Sequence, residues 1–233
     1  MTEHHPRCPR AWQASAVGWS SCPGCAQDHT DEAKAQRVRE QREQRLAGLL
    51  DSAGARFTTA SFESFKARSA QQVEALATCQ AYAASVTPAS GAGLLLLGTP
   101  GTGKTHLALA ILREAILQRG MTCAFTSARD LVRDLRATWR RNSESSEAEV
   151  IAFYGSVDLL GLDDLGAGFG SDGEHVQLLD VVDARYRQQG PTVITSNLSA
   201  EQLRDAIGVR AFDRLRDGAR IVVFDWQSHR RPA

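Results

Sequence analysis

At 233 residues, with 42% apolar side chains and a formal charge of zero, the chain has room for one sizeable core and a small appendage. The neutral balance excludes a global field for nucleic acid or membrane, so any such contact has to come from a local patch. No apolar run approaches the ~20 residues of a membrane span, and the polar start His4-His5-Pro6-Arg7 lacks a signal-peptide core. A cytoplasmic, reducing setting is therefore expected. There, cysteines serve metal binding or burial rather than disulfides.

Residues 1–29 are short of aliphatics and hold three of the five cysteines. Cys22-Pro23-Gly24-Cys25 is a C-x-x-C knuckle with Cys8 upstream and His29 four residues beyond. Such thiolates and imidazoles suit a tetrahedral Zn²⁺, which could staple a segment with so little to bury. The fourth ligand would be His29, His5 or His4; the other reading is a tail with spare thiols. Residues 30–56 form a charged linker. From Asp31 to Leu46 only Val38 and Leu46 are large aliphatics, so a helix there has no broad apolar face. The compact domain is expected over residues 57–233, where Phe57, Phe62 and Phe65 begin the apolar sequence.

Within it, strand and helix patterns alternate. Leu94–Leu97 is all apolar, as for a strand buried on both faces. A helical pattern from Lys104 to Gln118 stops at Gly120. Further strands are expected at Cys123–Thr126, Val157–Leu162, Thr192–Thr195 and Ile221–Phe224, with helices around Leu131–Trp139, His175–Gln188 and Gln202–Ile207. Ser199 and Gln202 make a capping box for the last of these. Cys79 and Cys123 read as core. Five buried strands alternating with helices predict a doubly wound α/β fold with a parallel five-stranded sheet.

The chemistry begins at Gly98-Thr99-Pro100-Gly101-Thr102-Gly103-Lys104-Thr105, a full P-loop between a predicted strand and a predicted helix. Its glycines let backbone N–H groups face a phosphate chain, and the helix presents its positive end to the same anion. Lys104 adds charge at the β/γ-phosphates of ATP, and Thr105 offers a hydroxyl to Mg²⁺. The stretch Asp158–Asp164 reads as an apolar strand ending in two carboxylates. Asp163 is placed to hold Mg²⁺ through its water shell, and Asp164 to orient or deprotonate the attacking water. Asn197, at the end of Thr195-Ser196-Asn197, can bridge the γ-phosphate and that water. Arg210 and Arg214 share a helical face four residues apart. Arg214 is the better placed to act as an arginine finger on a neighbouring subunit's γ-phosphate; the alternative is a solvated surface arginine. Arg230, after the last strand, is a weaker candidate for a sensor within the same subunit.

Arg129, Arg133, Arg136 and Arg140 fall at spacings of four, three and four, with Arg141 alongside and Trp139 nearby. Such a stripe could hold single-stranded DNA by phosphate contacts and base stacking. Equally, Trp139 could be core and the arginines merely solvated.

The stretch from Phe57 to Arg230 resembles the DnaC/DnaI/IstB group of AAA+ ATPases, the helicase loaders and transposition helpers. Beyond the ATPase motifs, the resemblance rests on Pro191-Thr192-Val193-Ile194-Thr195-Ser196-Asn197-Leu198, Phe212-Asp213-Arg214-Leu215 and Val223-Phe224-Asp225-Trp226. It implies an AAA+ sheet without a C-terminal helical lid, which fits a chain ending seven residues after Trp226. Most AAA+ proteins carry Glu where this one has Asp164, so slow turnover is expected, and the variant leans toward the IstB side. The Cys-rich N-terminal module resembles loaders in which that module contacts the helicase. The resemblance thus implies an ATP-dependent loader of the replicative helicase that assembles as a homo-oligomer with ATP. The alternatives are an IstB-like transposition helper acting on duplex DNA and an ATP-binding switch scaffold with little hydrolysis.

Overall fold

The computed structural model describes residues 23–140, 143–166, 168 and 172–229, the side chains of residues 23–29 and 172 excepted. Cys8, Cys22, Arg141 and Arg230 lie outside the described residues, as do the side chains of Cys25 and His29, so the zinc reading falls there. Among the described residues no cluster of metal-ligating side chains occurs.

The chain divides into two units, residues 1–44 and residues 45–233. A long helix, α1 (Pro23–Ala53), carries the charged sequence. Residues 31–41 are all exposed, with Arg39 Nε bonded to Glu43 3.0 Å away. Leu46, Leu49 and Leu50, by contrast, are buried in the core of the second unit. That unit therefore starts twelve residues before Phe57, because Leu46, Leu49 and Leu50 line up on one helical face at spacings of three and four.

The elements that follow are α2 (Ala70–Ser85), β1 (Gly93–Gly98), α3 (Lys104–Leu117), β2 (Cys123–Ser127), α4 (Ala128–Ala137), α5 (Glu147–Ser156), β3 (Leu159–Asp163), α6 (Asp172–Arg187), β4 (Thr192–Ser196), α7 (Ala200–Ile207), α8 (Val209–Arg216) and β5 (Ala219–Phe224). All five strands are parallel, in the order β2-β3-β4-β1-β5. β1 explains the all-apolar run. Leu94 and Leu96 enter one core with α2 and α3, while Leu95 and Leu97 enter the other with α4, α6, α7 and α8. β3 starts at Leu159 rather than Val157, because the Asp158 carboxylate turns aside to accept from Thr122 N and Oγ1 at 2.7 and 2.8 Å.

Two helices were absent from the sequence expectations, α2 and α5. Each opens with a complete capping box, Ser69 with Gln72 and Ser146 with Glu149. The box expected at Ser199 and Gln202 is also formed. Helix α4 ends at Ala137, two residues short of Trp139, which is 64% exposed and therefore not core. Cys79 is buried, as expected, and Cys123 half-buried.

Candidate active site

In a parallel sheet the loops at the carboxyl ends of the strands gather on one side, and ligands bind there. β1, β3 and β4 deliver the P-loop, the two aspartates and Asn197 to that side. The P-loop leaves β1 through Gly98 (φ 136°), where a Cβ would lie 2.2 Å from the Phe224 carbonyl oxygen of β5. Only glycine fits. It enters α3 through Gly103 (φ 100°), where a Cβ would lie 2.6 Å from the Phe65 ring. Lys104 is the first residue of α3 and is buried. Its ammonium donates to the carbonyls of Gly98 (2.8 Å) and Thr99 (2.7 Å), folding the side chain over its own loop.

Behind the loop, the chain leaving β5 braces it. Thr99 N–H donates to Phe224 O (3.0 Å), the Trp226 indole N–H to Thr102 O (3.0 Å), and His229 N–H to Gly101 O (2.8 Å). The Phe-Asp-Trp ending therefore has a local reason: it closes the outer side of the P-loop.

Asp163 Oδ1 accepts from the hydroxyls of Thr105 (2.9 Å) and Thr195 (2.5 Å). Burial pushes its carboxyl above the ordinary aspartate range, and these two hydroxyls oppose that rise; the neighbouring Asp164 charge adds to it and Lys104 subtracts. A desolvated carboxylate beside a threonine hydroxyl at the phosphate-binding loop is a fitting ligand set for a divalent cation. Asp164 stands in the left-handed region at φ 53°, where a side chain costs energy unless it is held. Here it is held twice. Its N–H donates to Thr195 Oγ1 (3.0 Å), and Asn197 Nδ2 donates to its carboxylate (2.8 Å). Ser196 Oγ to Leu165 O (2.6 Å) and Leu165 N–H to Thr195 O (2.9 Å) fasten the same two loops.

Lys104, Thr105, Asp163, Asp164 and Asn197 thus line one cleft of about 730 Å³. Its other wall, unmarked by any sequence motif, comes from the segment 56–68 through Arg56, Phe57, Phe65, Lys66 and Arg68, together with His106 and His229. Burial, with Arg68 and His106 nearby, holds His229 below the ordinary histidine range.

Arg214 lies elsewhere. It borders a cavity with Gly93, Thr192 and Gly218, at the amino ends of β1, β4 and β5, away from its own P-loop. There it pairs with Asp183 and lies over the Tyr186 ring, 5.6 Å from the centroid. Arg210 approaches the same carboxylate at 3.7 Å. On α4, Arg129, Arg133, Arg136 and Arg140 do line one shallow hollow. Arg133 is paired with Asp130 (2.6 Å) and Arg136 with Glu174 (3.1 Å), while the Trp139 indole donates to Glu147 (3.2 Å).

The chain matches the family of IstB-like ATP-binding proteins over residues 26–232. It is 32% identical over 195 residues to the replicative helicase loader DnaC of Escherichia coli strain K12, spanning 82% of this chain and 78% of that protein. The crystal structure of the DnaC helicase loader superposes with a TM-score of 0.68 at 25% identity, over 74% of this chain and 100% of that one. The crystal structure of DnaI gives 0.60 at 25% identity, over 74% and 91%. The five-stranded parallel sheet is thus that of the DnaC-type AAA+ fold. No helix among the described residues is long and apolar enough to cross a membrane. With the P-loop, the paired aspartates and the tail-braced loop all in place, the chain belongs to the IstB-like ATP-binding protein family.

Proposed function

We propose that the chain is an ATP-dependent loader of the replicative DNA helicase. The observation that carries this reading is the joining of a complete P-loop cleft to a likeness with DnaC that spans most of both chains. In this account the triphosphate lies along Gly98–Thr105, and Lys104 turns from its loop carbonyls toward the β/γ-phosphates. Thr105 and Asp163 would hold Mg²⁺, which would supply charge neutralisation to the phosphates when bound. Asp164, fixed by Asn197, orients the attacking water. Arg214 acts in trans, presented to a neighbouring subunit's nucleotide from the end of the sheet remote from its own. Arg230 would sense nucleotide within its own subunit. The α4 face, with Arg133, Arg136, Arg140 and Trp139, contacts single-stranded DNA. The N-terminal module, holding zinc through Cys8, Cys22, Cys25 and His29, engages the helicase.

Capture experiments with the full chain test this reading. The chain with ATP should retain the replicative helicase of its host, and Cys22→Ser should lose it. Retention of a transposase instead would turn the reading into a transposition helper, which the IstB-like family and Asp164 in place of Glu also accommodate. Capture that survives Cys22→Ser would remove the zinc module from the account.

A further inference from the structure

The first turn of α3 sends neighbouring side chains in different directions. Thr105 and His106 are about 100° apart around the helix. Thr105 reaches Asp163, at the metal and γ-phosphate end of the cleft. His106 reaches the other wall. Its Nε2 lies 2.8 Å from Ser61 O and 3.1 Å from Ser64 Oγ. A carbonyl oxygen only accepts, so Nε2 carries the proton and donates to Ser61.

That bond fastens a segment with little regular structure of its own. From the 3₁₀ turn Ala55–Phe57 up to α2, the chain forms a strap held by local bonds such as Ala60 N–H to Phe57 O (2.9 Å), Ser64 Oγ to Thr59 O (2.9 Å) and Phe65 N–H to Phe62 O (3.3 Å). Fixed in this way, Phe65 packs between two imidazoles, with ring centroids 5.8 Å from His106 and 5.8 Å from His229, and closes over Gly103. Phe57, Lys66 and Arg68 of the same strap face the cleft. With the γ-phosphate end at Thr105 and Asp163, the nucleoside end of the ligand is left to this wall. Its aromatic and cationic side chains suit a base and ribose rather than a further cation.

We propose that His106 is a positioning residue that sets the preference of this cleft for a nucleoside triphosphate over a bare polyphosphate, by tying the strap bearing Phe57 and Phe65 to α3. The proposal rests on the ATP-binding reading of the cleft. Phosphate contacts come from the P-loop and survive loss of the strap; contacts to the nucleoside do not.

The test compares ATP with tripolyphosphate, both with Mg²⁺, as competitors of a fluorescent ATP analogue. His106→Ala should weaken ATP about tenfold, as expected for loss of a hydrogen bond that orders a contact surface, and leave tripolyphosphate within twofold. His106→Gln, whose amide nitrogen can reach the same carbonyl, should restore ATP. In the unliganded protein, amide exchange at Ser64 and Phe65 should quicken in His106→Ala and return in His106→Gln. Parallel losses for both ligands, an ATP affinity within twofold of the parent, or unchanged exchange would each overturn the proposal. Failure of the underlying reading looks different: Lys104→Ala would then bind ATP like the parent, whatever His106 does.

Discussion

Two buried cations stand at opposite ends of the sheet, and their partners show why one marks a binding site and the other does not. Arg185, 3% exposed, belongs to α6 and reaches the amino end of β4. Its guanidinium donates to Thr192 Oγ1 (2.9 Å) and to the carbonyls of Tyr154 (2.7 Å), Val157 (3.1 Å) and Pro191 (2.6 Å). Burial lowers its pKa to about 10, still far above neutrality, so it stays charged. These acceptors come from two separate segments, 154–157 and 191–192, and the cation ties them to each other and to α6. Lys104, 5% exposed, donates instead to two successive carbonyls of a single loop, beside a cleft that also holds two aspartates. Burial of a charge is common to both. What differs is whether its acceptors join the fold or merely fold the cation onto a ligand-facing loop.

The largest expected effect breaks the structural side of this comparison. Arg185→Ala leaves several buried carbonyls without a donor and opens a cavity. A loss of roughly 3–5 kcal/mol is expected in urea unfolding. A loss under about 1 kcal/mol would show that the carbonyls find water and that the arginine does not hold the segments. Next in size is a change confined to the ligand side. Asp164→Asn should keep ATP bound, because Lys104, Thr105 and Asp163 remain, but slow hydrolysis about a hundredfold, within the usual range for losing a proton-accepting group. If Arg214 works in trans, Arg214→Ala subunits should regain hydrolysis when mixed with Lys104→Ala subunits, whose arginines are intact. No recovery in confirmed mixed assemblies would return Arg214 to a role within the Asp183 pair. The smallest effect concerns α4. Trp139→Ala should weaken single-stranded DNA by about tenfold, the scale of one lost base stack. An unchanged DNA affinity would leave Trp139 with its Glu147 contact alone.

The ligand side was more legible in the sequence than the structural side. The P-loop, Asp163 and Asn197 could be read because each ends an apolar strand, and a parallel sheet collects such ends on one edge. Arg185 could not. Its acceptors lie 6 to 31 residues away and become partners only when β3, β4 and α5 pack. The strap wall is hidden in the sequence for a similar reason: Phe57 and Phe65 read there as apolar mass, and only the packing against His106 and the bare Gly103 shows that they border the cleft. Other features are carried by local sequence alone. The S-x-x-Q and S-x-x-E boxes at Ser69 and Ser146 mark helices α2 and α5, and Leu46, Leu49 and Leu50 carry the helical spacing that joins α1 to the core. Trp139 illustrates the limit of periodicity. It follows Leu131, Val132 and Leu135 in sequence but falls past the end of the helix, so the pattern no longer determines its direction.

The claim on which the rest depends is that Lys104 serves a nucleotide rather than the fold. Lys104→Ala, titrated with a fluorescent ATP analogue and unfolded in urea without nucleotide, measures both at once. The account predicts near-complete loss of ATP binding, with a folding stability within about 1 kcal/mol of the parent. Unchanged ATP affinity, or a large stability loss with binding retained, would contradict it.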